Sequence, residues 1–515
     1  MATSREGLRI GGEAIWPVPP LAPGAAAELF LVRARAAGAH LEQTPDLLAT
    51  VVEICGRLDG LPLAIELAAA RTRAFPVQQL AERLNDRFRL LTGGSRTALP
   101  RQQTLRAVAD WSYDLLFDDE QRVFERLAVF PGGCDLATAR EVVADDTLPE
   151  EDLEDIVHAL VEKSLVQVEP DGDSLRVRQL QILAQYGREK LAERGDSASV
   201  RDAMAGHFSR LCAESAAAYV GPRQRAWLAT IECEQDNLRA ALEWAVAAGD
   251  AETAMTIAGG AAWPHWLRST VAEGQRWLDD AFSCAGSVSN STRALGLTGR
   301  GLLEFLGGRQ ERADADLEEA LAIFRAEGNA AGETLARSFY AEIAVVRGDE
   351  PEARRRRLDV LAMYDGRPAG DFERPAVAWS RGKLALLDGD LAAAEAHYRA
   401  AAAGFAGIDR PVMRSMALGI AADFDELAGD HHAARMALEE AVATNDSIGL
   451  RGLTGSLIAR LGWALLHEGD VVQAEAAYHR ALDDARRLQN VPVLIPALAG
   501  LAVVHRLAGR GEDAA

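Results

Sequence analysis

The chain has 515 residues and a net charge of −22, with 49% apolar and 26% charged residues. That composition describes a soluble, folded protein of about three domains, not a disordered one. So large an acidic excess repels nucleic acid unless a local basic patch exists. Cys55, Cys134, Cys212, Cys233 and Cys284 are scattered without metal-ligand or redox spacing, so buried thiols in a reducing cytoplasm are expected. There is no basic-then-apolar start, so no signal peptide is expected. The apolar run from Val491 to Val504 carries Pro492 and Pro496 and is too short to span a bilayer. The expected localisation is therefore cytoplasmic, without membrane or metal.

From residue 1 to about 100, residues 23–37 and 46–57 read as amphipathic helices, with apolar residues at three- and four-residue steps. Gly60-Leu61-Pro62-Leu63 then runs into an Ala-rich apolar segment ending near Arg71. Gly60 permits a tight turn, and Pro62 fits a helix's first turn, where its missing N–H is no loss.

From about 101 to 195 the pattern predicts a winged helix. Residues 103–116 form one helix, and Asp118 or Asp119 caps the next, which ends at Pro131-Gly132-Gly133. Two helices follow, at 136–143 and 151–163. Alternating strands at 164–169 and 174–177 then flank Pro170-Asp171-Gly172-Asp173 as a wing. Between Glu141 and Leu165 there are nine acids and one cation, Lys163. A recognition helix needs cations for phosphates, so this module is expected to serve internal packing, with no direct DNA binding by the chain.

Residues 196–290 read as a helical linker. Trp227, Ile231, Leu238, Ala241 and Trp244 lie near helical spacing, and Trp263-Pro264-His265-Trp266 reads as core aromatics. From 291 to 515 the chain repeats. Glycines stand at 308, 348, 389, 429, 469 and 509, a near-constant period slightly longer than that of the common tetratricopeptide unit. Seven residues before each glycine is a small residue: Gly301, Ala341, Gly382, Ala422, Gly462 or Ala502. Five after each is alanine. Nine after stand Leu317, Tyr398, Leu438 and Tyr478, with Arg357 the exception. A glycine that ends one helix and alanines that admit the next describe tetratricopeptide-like helical hairpins, which stack into a superhelix with a concave binding face. The fold class is thus mainly α: lid-type helices, a winged helix with a small β-hairpin, then an α-solenoid. Arg354-Arg355-Arg356-Arg357 reads as the solvated face of a second helix.

Several stretches resemble one family. Ala2-Thr3-Ser4-Arg5-Glu6, Trp16 to Leu21 (its "VPPL"), the GLPL at 60–63, Asp86 to Gly94, Gln103 to Leu116 and Leu127 to Gly133 are similar, in order, to segments of NB-ARC-type, AP-ATPase-like (STAND) regulators. The likeness is to the actinobacterial LuxR and antibiotic-regulatory types, and it covers roughly the first 195 residues. It implies that Arg5 senses a nucleotide's terminal phosphate and that Pro62 lies against the base or ribose. It also implies that Gln181 and Ile182 stand where the family has the acid and hydroxyl of a latch that holds bound ADP. The chain has no G-x-x-x-x-G-K-[ST] segment, the loop that cradles phosphates and Mg²⁺. Without it Arg5 reads as a solvated arginine, and ATP or ADP binds only if that segment is supplied from elsewhere. Both ends of the chain look cut.

Two functions follow. One is the sensor and arm portion of an ATP-dependent signalling switch in transcription, with a protein or small-molecule effector on the concave face of the repeats, self-association being a further expectation. The alternative is a nucleotide-free interaction scaffold. No Ser-His-Asp, Cys-His or metal constellation stands at a recognisable spacing, so no enzyme is expected. Purified alone, the chain is predicted to hydrolyse no ATP. A phosphate-release assay tests this, and turnover that co-purifies with the chain and vanishes in Arg5→Ala would overturn it.

Overall fold

The computed structural model describes residues 19–36, 44–58, 76–83, 113–163, 165–171, 174–220, 224–364, 373–487 and 491–509, with a few single residues between 39 and 109, Gly60, Leu61, Pro62 and Ile65 among them. They fall into two compact units that divide between His207 and Phe208.

In the first unit, Pro23–Ala36 and Pro45–Arg57 are helices as expected. The Thr44 hydroxyl accepts the Leu47 N–H at 3.2 Å and caps the second. Arg57 reaches from this helix to the Ala81 carbonyl at 2.6 Å, tying on the short helix Val77–Arg83. The next helix is Asp118–Leu127. Its cap differs from expectation: Asp118 is already helical, and the Glu120 carboxylate reaches back to accept the Phe117 N–H at 2.9 Å.

Asp135 caps the helix Leu136–Val143 through the Thr138 N–H at 2.7 Å, and Leu153–Glu162 follows. The wing is real but later than the alternation suggested, with strands Gln167–Asp171 and Ser174–Arg178. The two-residue strand Cys134–Asp135 joins them in an antiparallel sheet ordered first, third, second, pairing Cys134 with Val177. Arg176 is buried in this sheet and donates to the Gly132 and Gly133 carbonyls at 2.8 and 3.0 Å. The helix Gln181–Arg194 closes the unit on a buried carboxylate. Arg194 grips Glu125, which is 1% exposed, with two hydrogen bonds of 2.7 and 2.9 Å, and Tyr113 donates to the same group.

The second unit is helical throughout its described residues. Residues 224–283 form Gln224–Cys233, Gln235–Ala248, Ala251–Leu267 and Val271–Ser283. Ala251–Leu267 lies directly on the first repeat helix, because a Cβ on Gly259 would meet the Gly296 backbone at 2.9 Å. The expected linker is therefore continuous packing onto the solenoid. The repeat hairpins are Asn290–Leu306 with Gln310–Glu327, Ala330–Val346 with Glu350–Ala362, Glu373–Leu387 with Leu391–Gly407, Pro411–Ala428 with His431–Asp446, and Arg451–His467 with Val471–Arg487. Val491–Leu507 begins a sixth.

The turn chemistry explains the period. Each repeat glycine has φ between +72° and +86°, the left-handed conformation that ends a helix. From the second repeat through the fifth the next residue is aspartate, and Asp349, Asp390, Asp430 and Asp470 each cap the following helix at 3.0–3.1 Å. Beyond the turn, the residue nine places on is buried against the small residue seven places back. A Cβ on Gly301, Gly382 or Gly462 would meet Leu317, Tyr398 or Tyr478 at 2.7, 3.1 and 2.8 Å. Tyr478 is boxed on its other side by Gly500, where a Cβ would stand 2.1 Å from the ring.

Tyr478 has nowhere to retreat, so Gly462→Ala overpacks this layer. It is expected to cost about 1–3 kcal/mol, read as a lower urea midpoint. An unchanged midpoint would mean that Tyr478 is not seated there.

Candidate functional site

The repeat register aims some residues at the core and others at the inner face. The sixth residue before the turn glycine is Glu342 in the second repeat and Lys383 in the third. Equivalent positions in stacked repeats lie side by side, and Lys383 Nζ stands 3.3 Å from Glu342 Oε1. Arg357 reaches the same carboxylate from the core position nine residues after Gly348. The three groups line a cavity of about 490 Å³, within the range of small-molecule sites. Its walls come mainly from the first helices of the second, third and fourth repeats. Trp266, Phe305, Phe339, Trp379, Met413 and Met416 supply its apolar surface. Trp379 meets the buried Tyr398 edge-on at 5.3 Å, and Lys383 Nζ lies 5.4 Å from the Trp379 ring.

Arg357 is the unusual member. It is 2% exposed and occupies the seat that leucine or tyrosine fills in the neighbouring repeats. Its Nη2 faces Glu342 as an ion pair, and neither Nη2 nor Nε has a hydrogen-bond partner. A buried cation so incompletely met is costly. Burial works to raise the Glu342 carboxyl, but Arg357 and Lys383 outweigh it and hold the group below the usual carboxylate range. Burial pushes the Tyr398 hydroxyl well above its ordinary value.

The expected solvated arginine face holds for Arg354 and Arg355, which are exposed and paired with Asp388, Glu352 and Asp359. It fails for the other two. Arg356 is buried, stacked 3.5 Å over Tyr340 and bonded to its carbonyl at 2.7 Å, and Arg357 enters the cavity wall. The reason is the helical period. Four consecutive residues cover all sides of a helix, so a run of four must put some into the core.

Of the residues tied to nucleotide by resemblance, Arg5 lies outside the described residues, as do 2–6, 86–94 and 103–108. Pro62 is exposed. The two flanking segments do meet: Leu21 N–H donates to the Gly60 carbonyl at 3.0 Å. Gly60 has φ +65°, and a Cβ there would stand 2.6 Å from the Leu21 carbonyl oxygen. Gln181 begins its helix exposed, while Ile182 is buried. His265 is buried beside Trp277, 4.7 Å between rings, with its Nδ1 2.8 Å from the Thr270 hydroxyl. Burial lowers its pKa to about 4, so it is a neutral core histidine, and of its aromatic stretch Trp266 reaches the cavity.

Sequence spacing did not single out two groups whose donor atoms lie within 4.8 Å of one another, Glu426/His431/His467 and Glu475/His479/His505. They converge across repeats. In the first, the His431 and His467 rings stack 4.3 Å apart, and His431 Nδ1 lies 3.1 Å from Glu426 Oε2. In the second, Glu475 Oε1 is 3.5 Å from His505 Nε2 and 4.0 Å from His479 Nε2. A second cavity of about 680 Å³ lies beside Trp463, Tyr478 and Pro496.

No protein-family model matches the chain. It is 40% identical over 309 residues to a Mycobacterium tuberculosis protein named as an HTH-type transcriptional regulator, a match covering 59% of this chain and 35% of that protein. It is 28% identical over 451 residues to the regulatory protein AfsR of Streptomyces coelicolor, covering 78% of this chain and 41% of AfsR. The chain thus spans about a third to two fifths of the length of these relatives. Among solved structures, it is similar to a signal-transduction ATPase with a tetratricopeptide repeat sensor from Pyrococcus horikoshii. That likeness covers 96% of this chain and 71% of that one, at 12% identity and a TM-score of 0.42, too loose to carry an argument about function.

Two substitutions separate stability from function at Arg357. Glu342→Gln leaves the buried guanidinium without its counter-charge and is expected to lower the thermal midpoint, at a cost of about 3 kcal/mol. Arg357→Leu restores the side chain of the neighbouring repeats and is expected to be neutral or stabilising. The Glu342 contribution is complete above about pH 4.5, its unfolded value, and is lost as the pH falls through its lowered folded value. Equal losses in both variants would show that Arg357 is a stabilising core residue.

Proposed function

We propose that the chain is the sensor and arm portion of a signalling switch in transcriptional regulation, working in the cytoplasm, and that its repeats bind a small effector. The observation that carries this reading is the cavity, a space of about 490 Å³ that joins an aromatic and methionine wall to a buried cation. The similarity to named regulators supports the regulatory setting. Among the described residues no helix is long and apolar enough to cross a membrane.

Effector binding acts by differential affinity. A ligand that spans the second, third and fourth repeats favours the arrangement in which those hairpins sit at the right spacing. The winged helix then acts as a packing element in the arm. Its cations support that role, since Arg126 pairs with Asp145 and Asp196, Lys163 with Glu120, and Arg140 with Glu154. ATP dependence belongs to a longer assembly. Gly60 sits where Leu21 docks with its own N–H spent on the Cys55 carbonyl, and Pro62 carries no N–H, so neither offers a donor to a phosphate.

The test is titration of the whole chain with Nile red, a neutral apolar fluorophore. The expected result is saturable one-to-one binding, lost when Ala376→Trp fills the cavity while circular dichroism stays unchanged. Unsaturable binding that ignores the plug would overturn the reading.

A further inference from the structure

We infer that the effector is an amphipathic anion, a small molecule whose oxyanion head sits on Arg357 and Lys383 while its apolar body lies against the aromatic and methionine wall. This deepens the cavity reading above and rests on it.

The first argument is charge. Arg357, Lys383 and Arg410 line the cavity, and among the described lining residues Glu342 is the one carboxylate. Arg357 and Lys383 share that carboxylate. The described part of the cavity wall is therefore net positive in a chain of net charge −22. An acidic surface repels free anions, so this excess marks a local preference.

The second argument is the unmet donor. The Arg357 Nε has no hydrogen-bond partner although the side chain is 2% exposed. Guanidinium presents its donors as a planar fork suited to oxyanions. Nη2 meets Glu342 as an ion pair, but like Nε it has no hydrogen-bond partner, so the buried fork still has donors to offer an oxyanion.

The third argument is the register. The small seat at Ala341 lies opposite a core position that Leu317, Tyr398, Leu438 and Tyr478 occupy elsewhere, and all four are buried. A leucine would pack there without needing a counter-charge. Retaining an arginine therefore serves ligand chemistry at some expense in stability. The apolar wall sets the rest of the ligand: Phe305, Phe339, Trp379, Met413 and Met416 offer a deformable, largely uncharged surface.

The experiment uses the whole chain and three probes with the same alkyl body: sodium decanoate, decyl phosphate and 1-decanol. Binding is read by calorimetry and by quenching of intrinsic tryptophan fluorescence. The expected result is that an anionic probe binds one-to-one and at least about tenfold tighter than 1-decanol, a difference of about 1.4 kcal/mol. Whichever head binds tighter supports the inference, and the order reports whether the site prefers one charge or two. Arg357→Leu is expected to remove the preference, with decanoate and decyl phosphate binding no tighter than 1-decanol does to the same variant. Lys383→Met is expected to reduce it. Equal affinity for 1-decanol and both anions in the unmodified chain would overturn the inference and leave the cavity reading standing, as would Nile red entering while neither anion binds. Persistence of the preference in Arg357→Leu would also overturn it. Failure of Nile red to bind would overturn the cavity reading beneath it.

Discussion

The repeats of this protein depend on one contact made again and again: a large side chain nine residues past the turn glycine, seated in the gap left by a small residue seven places before it. Tyr398 in the gap at Gly382 and Tyr478 between Gly462 and Gly500 show how little room remains. The glycine turn and the aspartate cap hold the two helices of a hairpin at the separation this contact needs. With turn, cap and seat recurring at a fixed period, the solenoid follows. Side chains at equivalent positions then stack from one repeat to the next, which is how Glu342 and Lys383 come together.

The candidate site follows from breaking that rule once. At Arg357 the core position must be buried, because the helix and its small-residue partner put it there whatever its chemistry. A cation in that seat needs counter-charge, and Glu342 supplies part of it from the neighbouring helix. The same anomaly brings charge to the edge of an apolar space, which is what a selective site for an amphipathic ligand requires. Stability and recognition pull in opposite directions at this residue.

The first unit is organised by a comparable device put to a different end. Glu125 is 1% exposed and held by Arg194 and Tyr113, so the helix Gln181–Arg194 is locked onto Asp118–Leu127. Among the described residues its donors, Arg194 and Tyr113, both come from within the unit. It is a structural clamp, in contrast to the half-met arginine of the cavity. The Gly60–Leu21 contact is also structural, a close approach of backbones that leaves no space for a side chain.

The sequence by itself determined the helical class, the hairpin period, the wing and the single irregular arginine. Each of these is written in local spacing, and local spacing controls turns, caps and which helix face is apolar. The arginine run has the composition of a solvated charge cluster, but the helical period turns Arg356 and Arg357 into the core. The partners of Arg357 were decided only by tertiary structure. Glu342 stands on the preceding helix and Lys383 in the next repeat, and no local rule joins them. Stacking of successive hairpins brings them to one carboxylate, and the same stacking leaves the cavity beside it, because a void is a property of several helices together and of no one stretch of chain.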